Sequence, residues 1–481
     1  MAWKLSEVPG LRLFRVIDVE DMCLVEISSS CKYLTLSYVW GRGNKYLALT
    51  RDNKAQLMTP GALRAPLPKT IRDTLNLVKL LGERYIWIDC LCLIQDDPDD
   101  MQGGILNMDI VYEGSVLCIV AASGKDANAG LPGLLPHSRQ VRQHIEEVTP
   151  GVKMMRVDHF YTDLIGSPYV ERGWTFQEFM ISPRCLVFLD SRVYYRCCHV
   201  VWGEDTVYDD FPEETHGNVG TSHILPIFRQ STVSPCTLYT ASISRFNGRQ
   251  LSKESDTLNA MTGVLNRIVQ ETGGSHYFGL LTLYFDLSLL FYHEYGGDGR
   301  RQDFPSWSWV GWKGGPRHVE PSLLGDIDIN ELFSQDWGDN QIAQEWLAQK
   351  THIIWYTRCL QTGELSLVCH SRAITTDADQ TLEANSQDDD DVLRRDLPTI
   401  PTQHILSPDI PHDPGYGRDM TRHYEVALLS KADRCAYLWS MEMGIADQPL
   451  YWVMLLEWQG PYAERKGLGF IYQAQLEILL A

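Results

Sequence analysis

The chain has 481 residues, 44% of them hydrophobic, which is enough for two or three domains with cores of their own. Its 42 basic and 62 acidic residues give a net charge of −20, which argues against a surface that binds nucleic acid. No secretory signal opens the sequence, and the longest apolar stretch, residues 278–292, is interrupted by Asp286 and too short to cross a bilayer. We therefore expect a cytoplasmic protein without a membrane span.

The first part of the chain alternates between strand-like and helix-like patterns. A strand-rich opening, residues 11–27, precedes the first apolar run. Strands are predicted over 33–38, 85–88 and 116–122, and helices over 69–81 and 101–112. Because strands and helices alternate, this part predicts an α/β fold with a parallel sheet and helices on its faces.

The rest of the chain has weaker patterns. After a loop over 123–168 we predict a helix that contains Trp174 and Glu178, and a helical section leads to the cluster Trp307, Trp309 and Trp312. Further strands are predicted over 185–189, 193–195, 424–429, 451–458 and 469–480, and a disordered acidic loop over about 377–416. The resulting division is a strand-rich extension (1–30), the α/β domain (31–205), a helical and Trp-rich region (206–320) and a β-rich carboxyl-terminal region (321–481).

Two acidic residues, Asp89 and Glu178, occupy positions at which catalytic or ligand-binding carboxylates are common. Asp89 closes the second strand, and in open parallel sheets ligands collect outside this carboxyl edge. Trp174 and Glu178 lie four residues apart, which places the indole beside the carboxylate on one face of a helix. Each acid also has a structural explanation, since Asp89 would cap the next turn and Glu178 would pair with Arg172 or Arg184.

The twelve cysteines do not form a metal-binding pattern. Most lie in apolar runs, as Cys90, Cys92, Cys118 and Cys185 do, which is typical of buried thiols in a reducing compartment. In Cys197-Cys198-His199 the cysteines are adjacent, and no CxxC pair completes a ligand set, so we expect no metal site.

Three stretches carry most of the information in the chain. They are Tyr33-Leu-Thr-Leu-Ser-Tyr-Val-Trp-Gly41, Tyr85-Ile-Trp-Ile-Asp-Cys-Leu-Cys-Leu-Ile-Gln95 and Arg172-Gly-Trp-Thr-Phe-Gln-Glu-Phe179. Together with residues 67–73 and 128–133 they resemble the fungal heterokaryon-incompatibility (HET) domain, over roughly residues 30 to 205. Segments 256–260, 304–312 and 464–469 are similar to segments that follow this domain in large proteins of the family.

The HET family in turn resembles the TIR domain, a flavodoxin-like parallel α/β unit. TIR domains open with an aliphatic strand that ends near a serine and an aromatic residue, like Ser37 and Tyr38, and a later strand ends in an acid, like Asp89. TIR domains that cleave NAD have a Trp four residues before the catalytic Glu, which is the spacing of Trp174 and Glu178. The resemblance implies that Glu178 is catalytic, and we expect it to face an open cleft at the rim of the sheet.

The resemblance also implies the chemistry of the site. Breaking the nicotinamide–ribose bond of NAD develops positive charge on the sugar, which a carboxylate stabilises. The expected substrate-binding set is Ser37, Tyr38, Trp40, Asp89 and Trp174, although core packing explains the two tryptophans equally well. NAD would be substrate rather than cofactor, and the chain has no GxGxxG loop for its phosphates.

Three hypotheses about function follow. The first is an NAD glycohydrolase of incompatibility-type programmed cell death that is latent as a monomer and activated by self-association. The second is a non-enzymatic signalling module that assembles with a protein partner after recognition of non-self. The third is a family member recruited to a small-molecule biosynthetic pathway, with an apolar pocket near the tryptophan cluster.

Overall fold

The computed structural model describes fewer than all residues of the chain. It covers residues 14–28, 31–41, 47–139, 145–155, 160–190, 192–197, 200–204, 235–272, 274–282, 285–292, 299–314, 316–318, 354–358, 365–370, 399–401, 423–432, 450–459 and 462–472. The chain divides into two compact units, one of residues 1–230 and 249–264 and the other of residues 231–248 and 265–481.

The first unit is built around an eight-stranded mixed sheet. Its strands are β1 (Phe14–Asp18), β2 (Cys23–Ile27), β3 (Leu34–Tyr38), β4 (Tyr85–Trp87), β5 (Cys118–Ala121), β8 (Arg184–Phe188), β9 (Val193–Cys197) and β10 (Val201–Gly203). A separate hairpin consists of β6 (Ile145–Thr149) and β7 (Val152–Met155). The order across the sheet is β10-β9-β8-β5-β3-β4-β1-β2.

The middle of this sheet is parallel. Strand β3 pairs in parallel with β4 on one side and β5 on the other, and β5 pairs in parallel with β8. The edges are antiparallel, because β1 and β2 extend the sheet beyond β4 and β9 and β10 extend it beyond β8. The predicted α/β class with parallel strands is therefore confirmed, as part of a larger mixed sheet.

Helices connect and cover these strands. They are α1 (Lys54–Leu57), α2 (Lys69–Leu80), α3 (Asp89–Cys92), α4 (Pro98–Leu106), α5 (Met108–Gly114), α6 (Phe160–Ile165) and α7 (Trp174–Ile181). Helix α2 packs against β4, and α7 packs against β3 and α5. Every residue of β3 is buried, as expected for a central parallel strand covered on both faces.

Helix α2 shows how the sequence specifies one of these elements. Its apolar residues at three- and four-residue spacing, Ile71, Leu75 and Val78, are buried, whereas Leu80 is exposed. The helix ends before Gly82, whose φ of +73° suits glycine at this position. The predicted helix is confirmed to within one residue.

Two predictions between residues 101 and 168 were wrong. The single helix predicted over 101–112 is two helices, α4 and α5, which meet at Asn107. The Asn107 amide donates a hydrogen bond to the Gly103 carbonyl oxygen at 2.8 Å, so its side chain competes for the helix backbone. The predicted loop over 123–168 contains the β6–β7 hairpin and α6.

The second unit includes α8 (Pro235–Phe246) and most of α9 (Asn259–Thr272), which begins in the first unit. The remaining elements are β11 (His276–Tyr277), β12 (Leu280–Leu281), α10 (Phe285–Ser288), β13 (Phe291–Tyr292), β14 (Arg317–His318), β15 (Ile354–Arg358), β16 (Leu365–His370), β17 (Thr399–Pro401), β18 (His423–Ala432), β19 (Leu450–Gln459) and β20 (Tyr462–Tyr472). Strands β17 to β20 form a four-stranded antiparallel sheet.

The tryptophan cluster of the second unit contains a short helical turn. Trp309 begins a short 3-10 helix, is fully buried, and donates through its indole N–H to the Gly279 carbonyl oxygen at 3.1 Å. The predicted acidic loop over 377–416 lies outside the described residues except for 399–401. Among the helices that the structure describes, none has the length and apolar character that spanning a bilayer requires.

A candidate active site at the carboxyl edge of the sheet

The candidate site lies where the strand order changes direction, between β3 and β5. Both strands end at the same edge of the sheet, at Tyr38 and Ala121. The loops that follow are packed together, since the Ala127 N–H donates to the Trp40 carbonyl oxygen at 3.3 Å. Gly41 has a φ of +88°, and a Cβ there would lie 2.5 Å from the Asp126 Cβ, so only glycine allows this approach.

Glu178 lies beneath this edge, on the face of α7 that packs on β3. It is 3% exposed, and its carboxylate accepts a hydrogen bond from the Ser37 hydroxyl. The Ser37 oxygen lies 2.5 Å from the Tyr169 hydroxyl. Because Ser37 has one proton and gives it to Glu178, the Tyr169 hydroxyl proton is shared between the Ser37 oxygen and the Thr175 carbonyl oxygen, which lies 3.3 Å away. The three side chains form a buried hydrogen-bonded chain.

Asp89 is held at the first position of α3, directly after β4. One carboxylate oxygen accepts from the Trp40 indole N–H at 3.0 Å, and the other accepts from the Cys90 N–H at 2.7 Å. The second contact joins Asp89 to the N–H of the next residue and is not a helix cap, because the residue at the N-cap position of α3 is Ile88. The first contact fixes the orientation of the Trp40 ring.

Arg172 is the cation of the site. Its guanidinium donates to the Tyr38 carbonyl oxygen at 3.0 Å and lies 5.4 Å from the centre of the Trp40 ring. No ion pair joins Arg172 to a carboxylate of the described part of the chain. The ion pair between Arg172 and Glu178 that the sequence offered as an alternative is therefore not formed, although the positive charge still acts on both acids.

Burial dominates the electrostatics of the two acids. Burial, the largest effect, and the negative charge of Asp89 together raise the pKa of Glu178 from 4.5 to about 7, against opposing effects of Arg172, Ser37 and Tyr112. Burial likewise raises the pKa of Asp89 from 3.8 to about 6, against the charge of Arg172 and the bonds from Cys90 and Trp40. Both groups therefore change protonation close to neutral pH.

The structure brings together five of the six predicted site residues. Ser37 contacts Glu178, Trp40 contacts Asp89, and the Tyr38 backbone binds Arg172 while its hydroxyl lies 3.3 Å from the Cys90 sulfur. Trp174 is half-buried at the start of α7, and its ring makes no hydrogen bond or ring contact with them among the described residues.

The expectation that Glu178 faces an open cleft was wrong. All of α7 after Trp174 is buried, and the carboxylate points toward Ser37 on the central strand rather than toward solvent. The physical reason is the packing of α7 against β3, which turns the Trp174 end toward the surface and the Glu178 end into the interior.

Three residues that contact the candidate site were not predicted from the sequence. Tyr169 contacts Ser37 across 132 residues of sequence, and the Tyr112 hydroxyl donates to the Leu36 carbonyl oxygen at 3.0 Å beside Glu178. Arg249 donates to the carbonyl oxygen of Arg172 at 3.2 Å from outside the three signature stretches. No local spacing in the sequence signals such long-range contacts.

The cysteines are buried thiols as predicted: Cys90, Cys92, Cys118 and Cys185 are all free and buried. Within the described ranges no three potential metal ligands cluster, and Cys198 and His199 lie outside those ranges.

The comparison with protein families agrees with the signature stretches. Residues 33–178 match the family described as Heterokaryon incompatibility protein (HET), a range that begins just before β3 and ends at Glu178. No curated protein and no solved structure matches the chain. The chain therefore carries a heterokaryon-incompatibility domain over residues 33–178.

Proposed function

We propose that the HET domain cleaves the nicotinamide–ribose bond of NAD in incompatibility-type cell death, and that the conformation described above is its latent form. The observation that carries this proposal is the pair of buried carboxylates, Glu178 and Asp89, at the edge where the strand order changes direction. Burying an acid that has no ion-pair partner destabilises a fold, and such groups are concentrated at functional sites.

The order of the parallel strands supports the location. The parallel strands lie side by side in the order β4-β3-β5-β8. If they are numbered one to four along the chain, this spatial order is 2-1-3-4. This is the order of flavodoxin-like sheets, in which the ligand binds outside the carboxyl ends of the first and third strands. Here those strands are β3 and β5, and Ser37 and Tyr38 end the first of them.

The chemistry requires one well-placed anion. The bond between ribose C1′ and the nicotinamide nitrogen breaks with its electron pair leaving on nicotinamide, which departs as a neutral molecule. The positive charge that develops on the ribose is stabilised by the Glu178 carboxylate. Water then adds to C1′ and loses a proton, which gives ADP-ribose. In this proposal Asp89 accepts a hydrogen bond from a ribose hydroxyl, and Ser37 holds Glu178 in the latent form through its hydrogen bond.

Latency follows from burial. A carboxylate that is 3% exposed has no room for a ribose beside it, so catalysis needs a rearrangement that separates Glu178 from Ser37 and Tyr169. We assign this rearrangement to self-association, since sites of the TIR type are often completed across an interface. The proposal therefore predicts little activity for dilute protein and more for assembled protein.

The test is nicotinamide release from NAD by the purified full chain, with and without a crowding agent that drives assembly. Glu178→Gln keeps the shape of the side chain and removes its charge, so we expect the release rate to fall by a factor on the order of a hundred or more. Glu171→Gln is the matched control, because Glu171 is an exposed acid just before the same helix. Activity that survives Glu178→Gln, or an assembled wild type that releases no nicotinamide, would refute the proposal.

A second candidate is a non-enzymatic module that signals by assembly with itself or a partner protein. The hydrogen bond from Ser37 to the buried Glu178 favours it, because a satisfied buried acid also holds a helix on a strand. If the protein acts in this way, we expect the Glu178→Gln variant to kill cells as the wild type does. A killing assay in cells that express the variant separates the two candidates.

A further inference from the structure

Arg172 is held in a fixed position without the partner that usually holds a half-buried arginine. Its side chain is bound by the Tyr38 carbonyl oxygen and the face of the Trp40 ring. Its backbone is fixed as well, since the Arg172 carbonyl oxygen accepts from the Thr175 hydroxyl at 2.8 Å and from Arg249 at 3.2 Å. Among the described residues no carboxylate forms an ion pair with it.

The Arg172 guanidinium has more N–H donors than the described residues use. An arginine side chain carries five N–H groups in a planar fork, and the bond from the Nη1 atom to Tyr38 uses one of them. The remaining donors have no acceptor in the described part of the chain, and Arg172 is only half-buried. A planar fork of this kind matches two oxygens of a phosphate group better than it matches any neutral group.

The position of Arg172 relative to the acids specifies which phosphate would bind. Its charge acts on both Glu178 and Asp89, so the three groups lie within one small region at the end of β3. In a nicotinamide dinucleotide the diphosphate is attached to C5′ of the ribose whose C1′ must approach the catalytic acid. Arg172 lies over the Trp40 ring whose indole N–H bonds to Asp89, so its positive charge is on the side of the site where the diphosphate requires a cation.

We propose that Arg172 binds the diphosphate group of a nicotinamide dinucleotide and so makes the site prefer NAD to nicotinamide riboside, which has no phosphate. The identity of the dinucleotide rests on the proposed function, whereas the binding of a diphosphate does not. Arg172 also compensates for the negative charge of Asp89 and Glu178, which would otherwise repel the substrate.

The first experiment measures binding of inorganic pyrophosphate to the full chain by calorimetry. We expect Arg172→Gln to weaken binding by roughly tenfold or more, and Arg172→Lys to weaken it less, because lysine keeps the charge and loses the fork. Arg184→Gln is the matched control, since Arg184 is an exposed arginine at the start of β8, the opposite end of the parallel strands. Wild-type protein that binds no pyrophosphate, or Arg172→Gln protein that binds it equally well, would overturn the proposal.

The second experiment compares nicotinamide release from NAD and from nicotinamide riboside under assembling conditions. We expect Arg172→Gln to lower kcat/KM for NAD by at least roughly tenfold more than it lowers kcat/KM for the riboside, because only NAD carries the diphosphate. An equal loss for both substrates would mean that the substitution disturbs the fold around Tyr38, which contradicts a role in diphosphate binding. If the wild type cleaves neither substrate but binds pyrophosphate through Arg172, the hydrolase is refuted and the diphosphate site stands.

Discussion

Glu178 and Asp89 are buried acids whose pKa values are raised, and this links the stability of the fold to pH. Between pH 4.5 and about 7 the folded chain keeps a proton on Glu178 that the unfolded chain has released. The free energy of unfolding therefore falls as the pH rises through this window and levels off above it. Asp89 acts in the same direction between pH 3.8 and about 6.

Removing the titrating group should flatten this dependence. We expect Glu178→Gln to lose less stability than the wild type from about pH 5 to about pH 8, by an amount on the order of 2 kcal/mol. Urea unfolding of both proteins at several pH values measures this difference in the free energy of unfolding. Glu171→Gln, which changes an exposed acid, should follow the wild type. Parallel curves for wild type and Glu178→Gln would show that folding does not raise the pKa of Glu178.

At the scale of elements, the loop over residues 128–133 is held against the start of α2. The Gly130 N–H donates to the Thr70 hydroxyl at 3.0 Å, and the Leu131 N–H donates to the buried Asp73 carboxylate at 3.1 Å. These contacts join two of the blocks that resemble the HET family, residues 67–73 and 128–133. Their physical role is to hold the chain after β5 near the site.

Gly130 is the position where this packing is tightest. It has a φ of +80°, and a Cβ there would lie 2.6 Å from Asp73 Oδ2. We expect Gly130→Ala to lower the free energy of unfolding by about 2 to 4 kcal/mol, the sum of backbone strain and steric conflict. Gly82→Ala is the control, because Gly82 has a φ of +73° and open space around it, so only the strain of about 1 kcal/mol remains. If denaturant unfolding shows that Gly130→Ala and Gly82→Ala lose the same free energy of unfolding, the steric conflict at Gly130 is contradicted.

The elements that could be predicted from sequence are those whose burial follows a local period. Strands β3, β4 and β5 and helix α2 were predicted because their apolar residues repeat at strand or helix spacing. The β6–β7 hairpin was missed because β6 is exposed throughout and has no apolar alternation. The break between α4 and α5 was missed because it depends on one side chain, Asn107, that bonds to the backbone.

The candidate site was predicted as a set of residues but not as a geometry. Ser37, Asp89 and Glu178 are brought together as the motifs implied. Their exposure could not be predicted, because it depends on how α7 packs on β3. Tyr169 was missed because its contact with Ser37 is made across the fold and leaves no local pattern.

At the scale of the whole molecule, the first unit is discontinuous in sequence, because residues 249–264 return to it. The Gly173 N–H donates to the Gln250 carbonyl oxygen at 2.8 Å, just before α7. The Gly263 N–H donates to the Gln177 side chain, also at 2.8 Å. The HET domain is thus supported by chain that lies well beyond the family match, which ends at residue 178.

A substitution at Gly263 tests this support. A Cβ there would lie 2.6 Å from the Asp109 Cβ and 2.8 Å from both Gln177 Oε1 and Ile181 Cδ1. We expect Gly263→Val to lower the free energy of unfolding by about 1 to 3 kcal/mol, because the helix can no longer approach α7. Gln270→Val places the same side chain at an exposed position of the same helix as a control. Thermal unfolding of both variants measures the effect, and we expect the lower melting temperature for Gly263→Val. Similar melting temperatures would contradict the role of Gly263.

The hydrogen bond between Ser37 and Glu178 joins residues 141 positions apart, close to the two ends of the family match. During synthesis the strand that carries Ser37 leaves the ribosome long before the helix that carries Glu178, and the supporting segment around Gln250 follows later still. A nascent or truncated chain that lacks residue 178 therefore cannot assemble the carboxylate site. Under the proposed function, the order of synthesis leaves every such partial product inactive.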